Sequence, residues 1–405
     1  MRGGFANLLA AEVVSNFGAM LSRLAIPWIA ALTLAATPFE MGLLTAADVL
    51  AGALASLFLG ALVDRLDKRT VMIAADLGRA AVIGALAALA ATPWISFPAL
   101  IACAAASGLL TILFEVARSA WIAQCIAAAD LPARNAQISM GTSLSETVAF
   151  AIGGWIYQGA GAVLALAVDA ATYMVSAAFV RNVASARSVS DAPGMGDAAR
   201  SMIGDVKAGL RAIAAAPVLR MLGIVEVLAM LAMGIASTSY MIYAARDIGF
   251  DPGSLGMIFA TGGLGSLAGA AIAPRLGRAW GWHAAMIFGL VLLSLGTFCI
   301  PLATDATLAG AGLLIAHQLV GDGGHVIFDV HDRTQRQTSV PQALLGRVDA
   351  GIRTLGQLGR LAGALGGGAI AAALGTRGAL VVSGAIFTVA AIVVARARFA
   401  APRDG

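Results

Sequence analysis

Apolar residues run along this chain in long blocks separated by short polar, proline or glycine breaks. The first block extends from 5 to 36, and others cover 41–63, 70–92, 96–117, 136–158 and 160–182. A polar interval follows, and six more blocks cover 219–245, 254–274, 282–303, 305–330, 347–373 and 376–396. A helix needs about 20 apolar residues to cross a bilayer, so each block is long enough to be one crossing. The pattern predicts an all-α membrane protein of twelve transmembrane helices. The first block exceeds the apolar core of a secretory signal and no small-residue cleavage site follows it, so it reads as a retained helix.

The blocks divide the chain into an N-terminal six-helix bundle over 1–182, a linker over 183–218 and a C-terminal six-helix bundle over 219–405. Within the linker, Ile203, Val206, Leu210 and Ile213 recur at helical spacing opposite Asp205, Lys207 and Arg211. That spacing predicts an amphipathic helix on the cytoplasmic surface, tethering the halves.

Composition sharpens the class. Hydrophobic residues make up 60% of the 405 and charged residues 12%, about half the share in soluble chains. An ordinary cytosolic enzyme is excluded. The formal charge is +4 and the only lysines are Lys68 and Lys207, so no basic face for nucleic acid exists. Neither lysine sits in a phosphate-binding glycine loop, which argues against an ATP-driven pump. Gly263, Gly265 and Ala268 fit a dinucleotide fingerprint only superficially, because they lie within an apolar block. Cys103, Cys125 and Cys299 stand apart without ligand spacing and read as buried small hydrophobes. With both termini inside, twenty of the 26 Lys and Arg residues, Arg118 and Arg134 among them, fall on the inner side and only Arg246 and Arg377 outside. Positive charge is retained in the cytoplasm, so both termini are expected there, in a bacterial inner membrane.

The connection after the second block reads Gly60-Ala-Leu-Val-Asp64-Arg65-Leu-Asp67-Lys68-Arg69, and the one after the eighth reads Ala270-Ala-Ile-Ala-Pro274-Arg275-Leu-Gly277-Arg278. Matching loops in two halves that each begin and end inside suggest parallel six-helix repeats. The first loop resembles the Gly-x-x-x-Asp-Arg-x-Gly-Arg-Arg signature of the major facilitator superfamily. Gly60, Asp64, Arg65, Lys68 and Arg69 match, while Asp67 replaces the second glycine, as in the branch of the enterobactin exporter and macrolide efflux proteins. The stretch from Arg336 through Leu345-Gly346-Arg347-Val348-Asp349-Ala350 to Arg353 resembles that branch as well. The fifth-helix pattern of drug/proton antiporters is present only in part, as Gly153-Gly154 without the Gly-Pro pair. The resemblance implies the major facilitator fold, a gating role for the Asp64–Arg65 loop, and a central cavity lined by helices 1, 4, 7 and 10. Lys68 and Arg69 read instead as topological anchors.

Ionisable groups at bilayer depth are costly and should face protein or a water-filled cavity. Glu12, Asn16 and Arg23 share one face of the first helix; Gln318, Asp322, His325 and Asp329 form a stripe on the tenth. The resemblance puts both stripes in the cavity, with Glu115 and Glu226. Arg23 and Asp48 lie at similar depths, which suggests a buried pair. Asp322 and His325 suggest a second titrating pair. Glu146 and Asp169 can simply hydrogen-bond neighbouring helices. His325 and His331 are six residues apart, on nearly opposite faces, so no metal site or other cofactor is expected. These readings converge on a monomeric, non-enzymatic secondary transporter. The resemblance implies that it exchanges protons for a small amphiphilic compound, drug or siderophore-like, by alternating access; the alternative is a proton-coupled importer of a small metabolite.

Overall fold

The computed structural model describes residues 2–127, 130–185 and 195–397. Among the described residues all regular structure is helical. In chain order the elements are α1 (Arg2–Trp28), α2 (Pro38–Arg65), α3 (Lys68–Ala90), α4 (Phe97–Cys125), α5 (Leu131–Val180), α6 (Met195–Ala215) and α7 (Pro217–Ile242). They continue as α8 (Pro252–Leu302), α9 (Leu308–Ala316), α10 (Asp322–Ser339) and α11 (Gln342–Arg396). Seven helical segments among the described residues are long and apolar enough to cross a membrane.

Three helices are too long for one crossing: α5, α8 and α11 have 50, 51 and 55 residues. At 1.5 Å per residue each would span roughly 75 to 83 Å, against a hydrocarbon core of about 30 Å. Each is broken once, at Gly161 (φ 78°), Gly281 (φ 79°) or Gly375 (φ 75°). Only glycine adopts this backbone region readily, so these residues let each helix break there without an intervening loop.

Elsewhere helices loosen into π turns. α1 ends in one at Ile29–Thr33 and α7 in another at Tyr243–Asp247; a third, His317–Gly321, joins α9 to α10. The run expected to be helical to residue 36 therefore changes character after Trp28. α4 runs beyond the expected end at Ala117 as far as Cys125, so Arg118 lies in a helix and not in the inner loop assigned to it.

The chain forms two compact units, 1–36 with 46–200 and 250–260, and 37–45 with 201–249 and 261–405. In the first, Leu8, Met72, Phe114, Trp121 and Val180 close one core, with Phe5 packed beneath them. The start of α8 also belongs here: a Cβ on Gly256 would come within 2.6 Å of the Phe150 carbonyl oxygen, and Gly253 N donates to Gln158 Oε1 at 2.9 Å. In the second unit, Leu222, Met286, Leu290, Phe328, Val348 and Val394 form the principal core. The start of α2 packs here, where a Cβ on Gly42 would come within 2.3 Å of the Ala364 carbonyl oxygen. Missing side chains allow such close approach of helices. The expected linker helix is α6; Ile213 is buried and Asp205 pairs with Arg347 of α11 at 2.9 Å.

Candidate functional site

The stripe on α1 divides among partners. Glu12 forms an ion pair with Arg118 of α4, both largely buried. One turn on, Asn16 Nδ2 donates to the Thr142 carbonyl of α5 at 3.0 Å, beside a Ser145 bond to the Val13 carbonyl at 2.8 Å. Glu115, one turn before Arg118, is exposed. Arg118 thus supplies the cationic partner that its placement in a loop concealed.

Arg23 and Asp48 are both exposed and form no ion pair with each other, which corrects the expected buried couple. Equal depth does not make two helix faces meet: Asp48 lies against Gly108 of α4, where a Cβ would be 3.2 Å from its Oδ1.

At the loop between α2 and α3, Gly60 and Asp64 fall in the last turns of α2, and their side chains lie outside those described. Arg65 is exposed. Asp67 caps α3, accepting from Thr70 N at 3.0 Å and Thr70 Oγ1 at 2.7 Å, and its other oxygen accepts from Ser185 Oγ at 2.6 Å. The residue that departs from the signature therefore satisfies a helix N-terminus and ties it to the segment that follows α5. Lys68 is fully buried, with Nζ donating to the Leu66 carbonyl at 3.1 Å. Arg69 is half-buried and reaches the Val183 carbonyl at 3.4 Å.

In the second unit, Glu226 on α7 is half-buried against α11, where a Cβ on Gly356 would come within 2.7 Å of Glu226 Oε1. Glu226 forms no ion pair among the described residues. On α10, Asp322 lies over Gly262 of α8, whose Cβ would come within 2.2 Å of Asp322 Oδ2, and Gln318 is buried beside it. His325 Nδ1 has no hydrogen-bond partner, and the charges acting on the ring among the described residues are Asp329 and Arg333, so the expected Asp322–His325 couple is not formed. Spacing of three residues brought them to one face but not into contact. Nearer the end of α10, Arg336 pairs with Asp332 at 2.5 Å and with Asp349 of α11 at 3.2 Å, while Asp329 pairs with Arg333 at 2.9 Å.

Sequence reasoning missed Asp76 and Arg79, which form a buried ion pair on α3. Their i, i+3 spacing inside an apolar block was the available signal. His317 was also missed; it packs edge-on to Tyr240 with ring centroids 5.4 Å apart.

Comparison with known proteins bears on what these helices do. Residues 8–348 match the family described as Major Facilitator Superfamily. Over 386 residues the chain is 26% identical to an uncharacterized MFS-type transporter, YfiS, of Bacillus subtilis (strain 168), covering 94% of this chain and 89% of that one. A bacterial homologue of the iron transporter ferroportin, in an inward-facing state, superposes with a TM-score of 0.78 at 15% identity, over 97% of this chain and 98% of its own. The nucleoside transporter NupG gives 0.76 at 12% identity, over 96% and 98%.

Proposed function

The chain belongs to the Major Facilitator Superfamily, and on that premise we propose that it expels a small amphiphilic compound, drug or siderophore-like, by proton-coupled alternating access. It is a multi-pass membrane transporter and not an enzyme. In this reading it works as a monomer in a bacterial cytoplasmic membrane, with both termini inside. The efflux direction and the enterobactin exporter and macrolide branch are supported by the Asp67-bearing loop and the Arg336–Arg353 segment.

We further propose twelve crossings in two parallel repeats. Gly161, Gly281 and Gly375 divide α5, α8 and α11 into two crossings each, and α9, its π turn and α10 make one. A constant register supports the repeat. The π turns begin at Ile29 and Tyr243 (243 − 29 = 214), the breaks fall at Gly161 and Gly375 (375 − 161 = 214), and α2 and α8 begin at Pro38 and Pro252 (252 − 38 = 214). The close approaches exchange in the same register: Gly42 meets Ala364, and Gly256 meets Phe150. In this register Asp64 corresponds to Arg278 and Asp67 to Gly281, four residues from the alignment suggested by loop similarity.

Proton coupling rests chiefly on Glu226. Its counterpart at the same offset is Glu12 (226 − 12 = 214), which Arg118 neutralises. Among the described residues Glu226 has no such ion-pair partner, and an unpaired charge at bilayer depth is costly. A carboxylate in that position can exchange protons as its surroundings hydrate and dry. Uptake of the amphiphilic cation ethidium into inverted vesicles under an imposed inside-acid gradient tests this. Gradient-driven uptake in the wild type, lost in Glu226→Gln, is the expected result; uptake equally gradient-driven in Glu226→Gln removes this residue from coupling.

A further inference from the structure

In the first unit, Asp76 and Arg79 pair one turn apart on α3, their side chains 0% and 5% exposed. The rings of Phe114 on α4 and Tyr173 on α5 lie 4.7 and 4.3 Å from the guanidinium carbon. Ser176 Oγ donates to Asp76 at 2.8 Å. One turn before Tyr173, Asp169 is fully buried. It accepts a hydrogen bond from Ser22 of α1, and Thr172 Oγ1 lies 3.5 Å from its carboxylate. Gly18 of α1 makes room for it, since a Cβ there would come within 2.5 Å of Asp169 Oδ1.

The groups acting on Asp169 are therefore Ser22 from α1, Arg79 from α3, and Thr172 and Tyr173 from its own helix, with Asp76 bound to Arg79. The next charges are Glu12 on α1 and Arg118 and Glu115 on α4, with Glu12 already held by Arg118. Two buried carboxylates thus lie near one guanidinium, which pairs with Asp76, and none of these contacts supplies a second cation.

The corresponding place in the second unit carries no charge. In the proposed 214-residue register, on which this comparison rests, Asp76 and Arg79 correspond to Leu290 and Leu293. Phe114, Asp169, Tyr173 and Ser176 correspond to Phe328, Ser383, Phe387 and Ala390. All six counterparts are buried, and five of them belong to the unit's hydrophobic cores. The same helices at the same positions close a core without charge. Buried ion pairs are often no more stabilising than well-packed apolar residues of similar volume, so folding gives no reason for the charges.

We infer that Asp169, beside the Asp76–Arg79 pair, is a proton-binding site. Its carboxylate takes one proton from a hydronium ion, which is left as water, to become a carboxylic acid, and Asp76, Arg79 and Asp169 together pass from one net negative charge to neutrality. The new O–H donates to the Ser22 or Thr172 hydroxyl, reversing the direction of that bond. Nothing else is made or broken.

Infrared difference spectroscopy of the purified full-length protein in lipid nanodiscs, titrated with pH in light and heavy water, tests this without a transported compound. The expected wild-type result is a deuterium-sensitive protonated-carboxyl band that disappears in Asp169→Asn. The triple variant Asp76→Leu, Arg79→Leu, Asp169→Ser, which copies the second unit, is expected to fold with a thermal midpoint at or above that of the wild type and to lack the band. Absence of the band from the wild type, or its persistence unchanged in Asp169→Asn, overturns the proposal. Failure of the triple variant to fold overturns it too, because the cluster is then structural. Failure of gradient-driven flux with the band present would instead count against the transport reading alone.

Discussion

Arg118 of α4 and Glu12 of α1, 106 residues apart in sequence, form an ion pair within the first unit. Glu12 Oε2 has no further hydrogen-bond partner, so Arg118 is the carboxylate's principal compensation. Arg118→Gln should strand that charge and cost up to about 3 kcal/mol, and adding Glu12→Gln should recover most of it. Thermal unfolding of the two single variants and the double measures this coupling. Additive losses would mean that the pair contributes nothing as a unit.

Asp67 tests whether the departure from the family signature has a local purpose. Asp67→Ala removes both the α3 cap and the Ser185 bond, and should lower stability by about 1 to 2 kcal/mol. Asp67→Gly, which restores the usual signature residue, should cost less at the cap, because glycine is tolerated there. Equal unfolding midpoints for wild type and Asp67→Ala would contradict the capping argument.

Gly42 and Gly256 face backbone carbonyls, which cannot turn aside as a side chain can. Gly42→Val and Gly256→Val should each lower the thermal midpoint through overpacking of about 1 to 3 kcal/mol. A variant with the wild-type midpoint would show that the helix pair can separate at little cost.

The hydrophobic blocks made the helices legible because a span must be apolar along its whole length. Their ends were less legible, since a helix can continue past the membrane: Arg118 looked like a loop charge because the apolar block stopped at Ala117. Depth along a helix was readable from residue counts, but azimuth was not, and so Arg23 and Asp48 were matched wrongly. The burial of Lys68 was not legible, because charge alone does not reveal that its ammonium finds the Leu66 carbonyl. Asp76 and Arg79 were passed over because two opposite charges one turn apart barely disturb an apolar average. Loop resemblance aligned Asp64 with Pro274, whereas the glycine breaks and π turns, invisible to hydrophobic patterning, support the 214-residue register.

Asp64→Asn should slow ethidium efflux from cells while leaving abundance in the membrane unchanged, as the gating role implied by the signature loop requires. Immunoblotting of membranes beside the efflux assay separates the two effects. Wild-type efflux would leave the loop with only a topological role.

The most direct test of proton-coupled export is flux in inverted vesicles containing the purified protein, with ethidium, a macrolide and a catecholate siderophore as the compounds offered. An inside-acid pH gradient should drive accumulation of at least one of them without ATP, and a protonophore should abolish it. Accumulation that persists undiminished after both the pH and electrical gradients have collapsed would contradict the account.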